Sequence, residues 1–337
     1  VLFGKRRAYQ RKVAIADFSG VCSGDIYVLE PKGEQLLPEL LPFICQSEPF
    51  YNYVISMSQG GLSPRVNWKA LAKYEFALPP LEEQRRISEA LIATDSSQKA
   101  SFVLAQRIID LRSSLLAYRT GTALLTRGNS KDLNTNRYAS WKRMKLSDLS
   151  KVVRGSTPRP AGDPKYFGGS HIPWITVGEI TKDDSPFLES TEAMLTAAGE
   201  EKSRVFEPGT VVLSNSGATL GIPKVLRIKG CANDGVAAFL DVDSRVLPMF
   251  LYYWLSGLTE YFRNVVAAGG GQPNLNTTRI GDLFIAVPPI SEQEAIVNLM
   301  EELEHSLTET RRRIVRSHAI SQGILHETLG SSEGLAR

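Results

Sequence analysis

Gly61-Leu62-Ser63-Pro64-Arg65-Val66-Asn67 is answered by Gly270-Gly271-Gln272-Pro273-Asn274-Leu275-Asn276, and Leu78-Pro79-Pro80-Leu81-Glu82-Glu83-Gln84 by Val287-Pro288-Pro289-Ile290-Ser291-Glu292-Gln293. Ile87 then matches Ile296, so one spacing of 209 residues (61 to 270, 79 to 288, 87 to 296) runs through all three matches. Upstream, Cys22 and Asp25 match Cys231 and Asp234 at 209, and Leu37-Pro38 matches Leu247-Pro248 at 210. A fixed spacing over so many positions is the mark of an internal repeat, which fixes the architecture before any single element is read.

Each Pro-Pro divides its repeat into two kinds of sequence. Before it the chain reads as globular. Val211-Val212-Leu213, Ala237 to Leu240 and Leu283 to Val287 are short apolar runs of the kind that form buried strands. Pro248 to Ala268 predicts one helix, with Phe250, Leu251, Trp254, Leu258, Tyr261 and Phe262 on its apolar face and a stop at Gly269-Gly270-Gly271. Leu40 to Met57 is its counterpart, interrupted by Pro42 and Pro49. After the Pro-Pro, Glu82 to about Thr120 holds no proline or glycine. Ile87, Leu91, Ala105, Ile108 and Leu115 fall on a heptad lattice, diluted by Thr94, Gln98, Ser101 and Arg112. In the second copy Ile296, Met300, Leu303, Leu307, Thr310, Ile314 and Ile324 share one seam, and Ser291 with Glu294 predicts a capping box. Each segment predicts a helix of about 40 residues, roughly 60 Å long. Two such helices cover one another most economically as a coiled coil; the alternative is that each lies on a globular core.

The expected fold is therefore α+β: two α/β domains separated by two long antiparallel helices, related by a pseudo-twofold internal repeat. The expected divisions are 1–80, the C-terminal half of the first domain; 81–127, the first helix; 128–140, a polar linker; 141–289, the second domain; and 290–330, the second helix. The counterpart of Trp141 would fall about 68 residues before Val1 (141 − 209 = −68). The first domain is thus expected to lack that much.

The chain has 337 residues, 42% hydrophobic and 22% charged, enough for a sizeable core in roughly two domains. No run of 18 apolar residues predicts a membrane span, and Val1 to Arg7 does not read as a signal peptide. Three scattered cysteines suit a reducing, cytoplasmic setting. The net charge of +3 does not announce nucleic-acid binding, so any such case is local. Catalytic signals are missing. No G-x-x-x-x-G-K-[ST] loop occurs, and Gly217-Ala218-Thr219-Leu220-Gly221 reads as a turn between strands. Asp163-Pro164-Lys165-Tyr166 resembles a methyltransferase Asp-Pro-Pro-Tyr only faintly and reads as a surface turn. His171, His305, His318 and His326 lack metal-ligand spacing.

The local case for DNA is better. Lys5, Arg6, Arg7, Arg11 and Lys12 lie within eight residues that contain no acid. Aligning Lys12-Val13 with Lys224-Val225 places this basic loop opposite the neutral Asn215-Ser216-Gly217-Ala218-Thr219. Such side chains neutralise phosphates or reach base edges, Arg and Lys at guanine, Asn at adenine. Arg154, Thr157, Arg159, Lys165 and Lys182 form a second set, interleaved with Tyr166 and with Trp174, which reads as core. The expected DNA-binding residues are these ten basic and Thr side chains with Asn215, Ser216, Thr219 and Lys224. Solvated charged turns are the plainer alternative. Gln272, Asn274, Asn276 and Thr277 recur in part in both copies, which suits a shared structural role.

Several motifs together resemble one known family. Trp141, Leu146-Ser147-Asp148-Leu149 and Val153-Arg154-Gly155-Ser156-Thr157-Pro158 look like the opening of a target recognition domain. Tyr166-Phe167-Gly168-Gly169 and Ile172-Pro173-Trp174-Ile175 follow at the expected place. The doubled Gly-x-x-Pro-x-[Val/Leu]-Asn, Pro-Pro and Glu-Gln signature then leads into each long helix. With these the chain resembles the specificity (S) subunit of Type I restriction–modification enzymes over nearly its whole length. The resemblance implies two target recognition domains that read a bipartite site in double-stranded DNA, with no catalysis by the subunit itself. It implies methyltransferase (M) and restriction (R) subunits as partners, and no cofactor on this chain. S-adenosylmethionine, ATP and Mg would be used by the partners. A coiled-coil scaffold that binds only protein is the alternative.

Overall fold

The structure is a computed structural model that describes residues 1–120, 122, 141–266 and 275–329. The expected linker at 128–140, and Gly269 to Asn274, lie outside the described residues. The chain divides into two compact units, residues 1–107 with 306–337, and residues 108–305.

In the first unit β1 (Leu2–Gly4), β2 (Val13–Ala14) and β3 (Ile26–Val28) form an antiparallel sheet with β1 in the centre. Helices α1 (Leu41–Ile44), α2 (Glu48–Ser56) and α3 (Trp68–Leu71) follow, then the long α4 (Leu81–Arg119), whose first part belongs here. Both prolines of this stretch sit in a first helical turn, where their missing N–H costs nothing. Phe3, Ala8, Phe50, Tyr51, Val54, Val66 and Leu71 close one core. A second joins Leu40, Phe43, Ile44, Ile87 and Leu91 to Leu325 and Leu329 near the end of the last helix, α10 (Ile290–Leu329).

The second unit repeats that plan and extends it. It contains β4 (Lys142–Lys145), β5 (Lys151–Arg154), β6 (Phe167–Ile175), α5 (Val177–Ile180), β7 (Phe187–Leu188), β8 (Met194–Leu195), α6 (Ala197–Glu201) and β9 (Arg204–Phe206). Then come β10 (Val211–Ser214), β11 (Pro223–Leu226), β12 (Gly230–Ala232), β13 (Val236–Leu240), α7 (Pro248–Ser256), α8 (Thr259–Tyr261), α9 (Thr277–Gly281) and β14 (Phe284–Val287). The triplet β11-β10-β13 matches β2-β1-β3, with β5 and β7 added outside it to make five strands. A second sheet runs β8-β6-β12-β9, and β14 pairs with β4. The apolar runs read as strands are β10, β13 and β14, each largely buried.

Hydrogen bonds correct the repeat's register. Lys5 N donates to Asp25 O as Asn215 N does to Gly235 O, and Ile26 N to Ser23 O as Val236 N does to Asn233 O. Leu2 faces Val28 as Val212 faces Ala238. The spacing is 210 from β1 to Leu37 and becomes 209 only by Val66, whose N bonds Lys5 O as Leu275 N bonds Asn215 O. Asp25 therefore corresponds to Gly235 rather than Asp234, and Lys12 to Ile222 rather than Lys224.

The single helix expected over 248–268 is also corrected. It breaks at Gly257-Leu258 and ends in a π-helical turn, Phe262–Val266. Thr259 Oγ1 donates to Gly221 O, and Arg263 Nε to Leu220 O, so contacts with the β10–β11 turn outweigh continued helical bonding. The buried face is as expected: Phe250, Leu251, Trp254, Leu258 and Phe262 are all in the core.

Both long helices form as expected, α4 over 39 residues and α10 over 40. Thr94, Gln98, Ser101, Ala105, Ile108, Arg112 and Leu115 all lie on the covered side of α4, so the diluted lattice is a real seam. In the second unit Arg112 bonds Glu304 of α10 at 2.8 Å, and Tyr253 Oη donates to the same carboxylate at 3.2 Å. Ser291 is not the N-cap. Helix α10 starts at Ile290, which puts Ser291 inside its first turn, and its first bonds run from Glu292 and Gln293 to Pro289 O.

What fixes that start is Gln293, wholly buried. Its Nε2 donates to Pro288 O and Arg245 O at 2.9 and 2.7 Å, and its Oε1 accepts from Leu247 N at 2.9 Å. Gln84 makes the same three bonds, to Pro79 O, Gln35 O and Leu37 N. The repeated Glu-Gln is thus a clamp between each long helix and the loop entering its domain's helical layer. The repeated Asn is a second shared device, because Asn67 and Asn276 both N-cap the helix they precede.

Candidate nucleic-acid interface

In the first unit the basic loop is the tip of the β1–β2 hairpin, wound into a single 3₁₀ turn at Ala8–Gln10. Arg7 and Arg11 flank the turn, both left-handed at φ 51°. In the second unit Gly217 and Gly221 hold the same two places, at φ 84° and 89°. The tip is one backbone design carried by different side chains. Lys5 lies over the Tyr27 ring, 5.0 Å from its centroid. Arg6 pairs with Asp25 at 2.9 Å, which holds that carboxyl below its usual range. Arg11 grips Glu48 through both guanidinium nitrogens and lies over Tyr51. Arg7 and Lys12 are exposed.

The neutral tip is more enclosed. Asn215 is fully buried, Ser216 half-buried and Thr219 exposed. Lys224 is 1% exposed and points away, its ammonium bonded to Asp183. That bond lowers the Asp183 pKa. The burial withdraws Lys224 from the surface set.

The second predicted set divides in two. Arg154, Thr157 and Arg159 converge on Asp234, a residue outside the expected set. Thr157 Oγ1 donates to its carboxylate at 2.7 Å, Arg154 Nε and Nη2 donate to its carbonyl at 2.9 and 2.6 Å, and Arg159 approaches at 3.5 Å. The Thr157 bond, with the two arginines, lowers the Asp234 pKa. The loop lies flat because residue 155 is glycine: a Cβ there would sit 2.1 Å from Asn233 O. Arg204 joins the group by donating to Arg154 O. Asn233-Asp234-Gly235 is a turn signal in sequence, but nothing local marks it as an organiser of arginines. Lys182 lies elsewhere. It pairs with Glu192 beside a recess of about 290 Å³ also lined by Glu179, Asp183 and Glu189, a surface that disfavours phosphate. Lys165 is exposed over Tyr166. Trp174 is core, as expected.

Among the described residues no group of His, Cys, Asp and Glu is placed to hold a metal ion. None of their helices is long and apolar enough to cross a membrane.

Comparison with known proteins gives a consistent result. The family model of the Type I restriction modification DNA specificity domain matches residues 1–101 and 138–315. The chain is similar to the Type I restriction enzyme HindI specificity subunit of Haemophilus influenzae, 20% identical over 87% of this chain and 77% of that one. It is 22% identical to the StySPI specificity subunit of Salmonella potsdam, over 95% of this chain and 70% of that one. Among solved structures, the S subunit of the Type I restriction–modification system from M. genitalium aligns with a TM-score of 0.61 at 14% identity, covering 97% and 82%. The HsdS subunit from Thermoanaerobacter tengcongensis aligns at 0.54 and 21%, covering 92% and 74%. At these identities the structures speak for the fold.

Proposed function

Because the chain belongs to the Type I restriction modification DNA specificity family, we propose that its two repeats read the two halves of one interrupted target in double-stranded DNA. The carrying observation is the pair of hairpin tips: one backbone design, with Arg7 and Arg11 in the left-handed places of one and Gly217 and Gly221 in those of the other. A scaffold kept constant while its tip chemistry changes is what two different base sequences demand. On this reading the first tip presents Lys5, Arg6, Arg7, Arg11 and Lys12. The second presents Ser216 and Thr219 with Asn215 behind them, flanked by Arg154, Thr157 and Arg159.

The chain carries no chemistry of its own on this reading. Methylation with S-adenosylmethionine, and cleavage driven by ATP and Mg, belong to methyltransferase and restriction subunits that dock on it in the cytoplasm. The divisions 1–80, 81–127, 128–140, 141–289 and 290–330 serve as the working map of recognition and helical parts. The small net charge suits a subunit that binds DNA tightly only with its partners.

The test is a mobility-shift titration of the chain with and without methyltransferase subunits, repeated across salt, together with methylome sequencing of cells carrying the complete operon. Sequence-selective binding that needs the partner and weakens with salt is the expected result. Tight selective binding by the chain alone would contradict the partner dependence. No selectivity in any combination would contradict the reading.

A further inference from the structure

We propose that Arg7 is the base-reading side chain of the first hairpin tip, reaching guanine O6 and N7 from a backbone held in place for that purpose. The proposal rests on the DNA-reading assignment above and deepens it. Four observations carry it.

Arg7 occupies the left-handed region at φ 51°, where an L side chain is disfavoured and glycine is the ordinary occupant. The second repeat has that ordinary occupant, Gly217. A disfavoured conformation kept by a non-glycine residue persists where function holds it. Next, the backbone there is anchored: Arg7 N donates to Pro64 O at 2.7 Å, and Pro64 belongs to the repeated Gly-x-x-Pro segment. The side chain thus leaves from a fixed point, as base readout needs.

Third, the neighbouring arginines are committed. All three arginines are exposed, but Arg6 holds Asp25 and Arg11 holds Glu48 with both nitrogens, while Arg7 faces solvent outside those ion pairs. Fourth, among the described residues a Cβ on Gly217 would meet nothing within 4 Å, while one on Gly221 would press on Phe262 at 3.2 Å. The described residues leave position 217 uncrowded, and its counterpart Arg7 carries its long side chain exposed.

The contrast between the repeats favours bases over phosphates. Phosphates are alike in any sequence, so a phosphate contact would be retained at both tips. At this place the first tip carries a cation and the second carries no side chain at all. Arginine there meets the paired acceptors of guanine as a rigid planar fork, where lysine would bring a flexible point charge.

The experiment uses the full chain assembled with its methyltransferase partners and a pool of randomised duplexes, the bound fraction being sequenced. Arg7→Lys should weaken a guanine preference at one position of one half-site, and Arg7→Gly should lose it by about tenfold or more, with the other half-site unchanged. The salt slope of Arg7→Lys should stay the same, because the charge is retained. The melting temperature of Arg7→Gly should hold. Gly217→Arg should alter preference in the other half-site only. If Gly217→Arg does not fold, Arg7→Gly decides by itself. Unchanged preference in a folded Arg7→Gly complex would overturn the proposal and, with a reduced salt slope, leave Arg7 as a phosphate contact. An unselective wild-type complex would instead overturn the DNA-reading assignment on which it stands.

Discussion

Lys224 illustrates how far a residue's neighbours govern its role. The sequence offers a lysine in an apolar strand, and the fold buries it against Asp183, whose own side chain stays 60% exposed. Removing the carboxylate would strand a buried ammonium. Asp183→Ala should therefore cost about 1–3 kcal/mol, below the value for a fully buried pair because one partner is wet. Asp183→Ala with Lys224→Met should recover most of that loss, since the methionine fills the same space without a charge. Urea melts of the two single variants and the double variant measure the coupling. Because Lys224 lowers the Asp183 pKa, the pair's contribution is present above the ordinary carboxylate range and is lost as pH falls through the lowered value. The double variant should lack that part of the acid limb.

Gln293 and Gln84 act at the same scale with a stricter outcome. Either one mutated to alanine leaves two carbonyls and an N–H unpaired in the interior. A loss of about 2–3 kcal/mol is expected at each site by denaturant titration. If Ser291 were the working cap, Ser291→Ala would match it; the structure predicts a much smaller effect for that exposed side chain.

At the scale of elements, the long helices are held by a polar contact as well as a seam. Glu304 is half-buried between Arg112 and Tyr253, and burial raises its pKa despite the arginine. A carboxyl with a raised folded-state pKa stabilises below its ordinary value and loses that contribution as pH rises through the raised one. Wild-type stability should decline over that window relative to Glu304→Gln, which does not titrate. Melts of both proteins across pH, compared as differences, check the sign. The heptad lattice was legible because period 3.5 survives polar dilution: Thr94, Gln98 and Ser101 are covered where it places them. The break in the 248–268 helix was not legible, because the groups that cause it, Gly221 O and Leu220 O, lie some forty residues away in sequence.

At the scale of the molecule, the first unit is built from both ends of the chain. Residues 306–329 supply Leu325 and Leu329 to the core around Ile87 and Leu91. Ending the chain after His305 should abolish amide protection across β1 and α1–α2 while β10 and β13 stay protected. Leu325→Ala should weaken the first unit by about 2–4 kcal/mol without touching the second. Hydrogen exchange resolved by segment measures both.

The sequence by itself determined the repeat, the two long helices, the apolar strands of the second domain and the family. Each rests on spacing or periodicity, which chain order preserves. It also picked out the basic tip, because a run of cations needs no partner to be noticed. The tertiary structure decided the register of 210 through the hairpins, the burial of Lys224 and Asn215, and the gathering of Arg154, Thr157 and Arg159 on Asp234. It alone separated Arg7 from Arg6 and Arg11. Those outcomes depend on hydrogen bonds and ion pairs between residues up to about eighty positions apart. Which cation is tied and which is free is settled by the geometry of the partner, and no pattern along the chain encodes that distance.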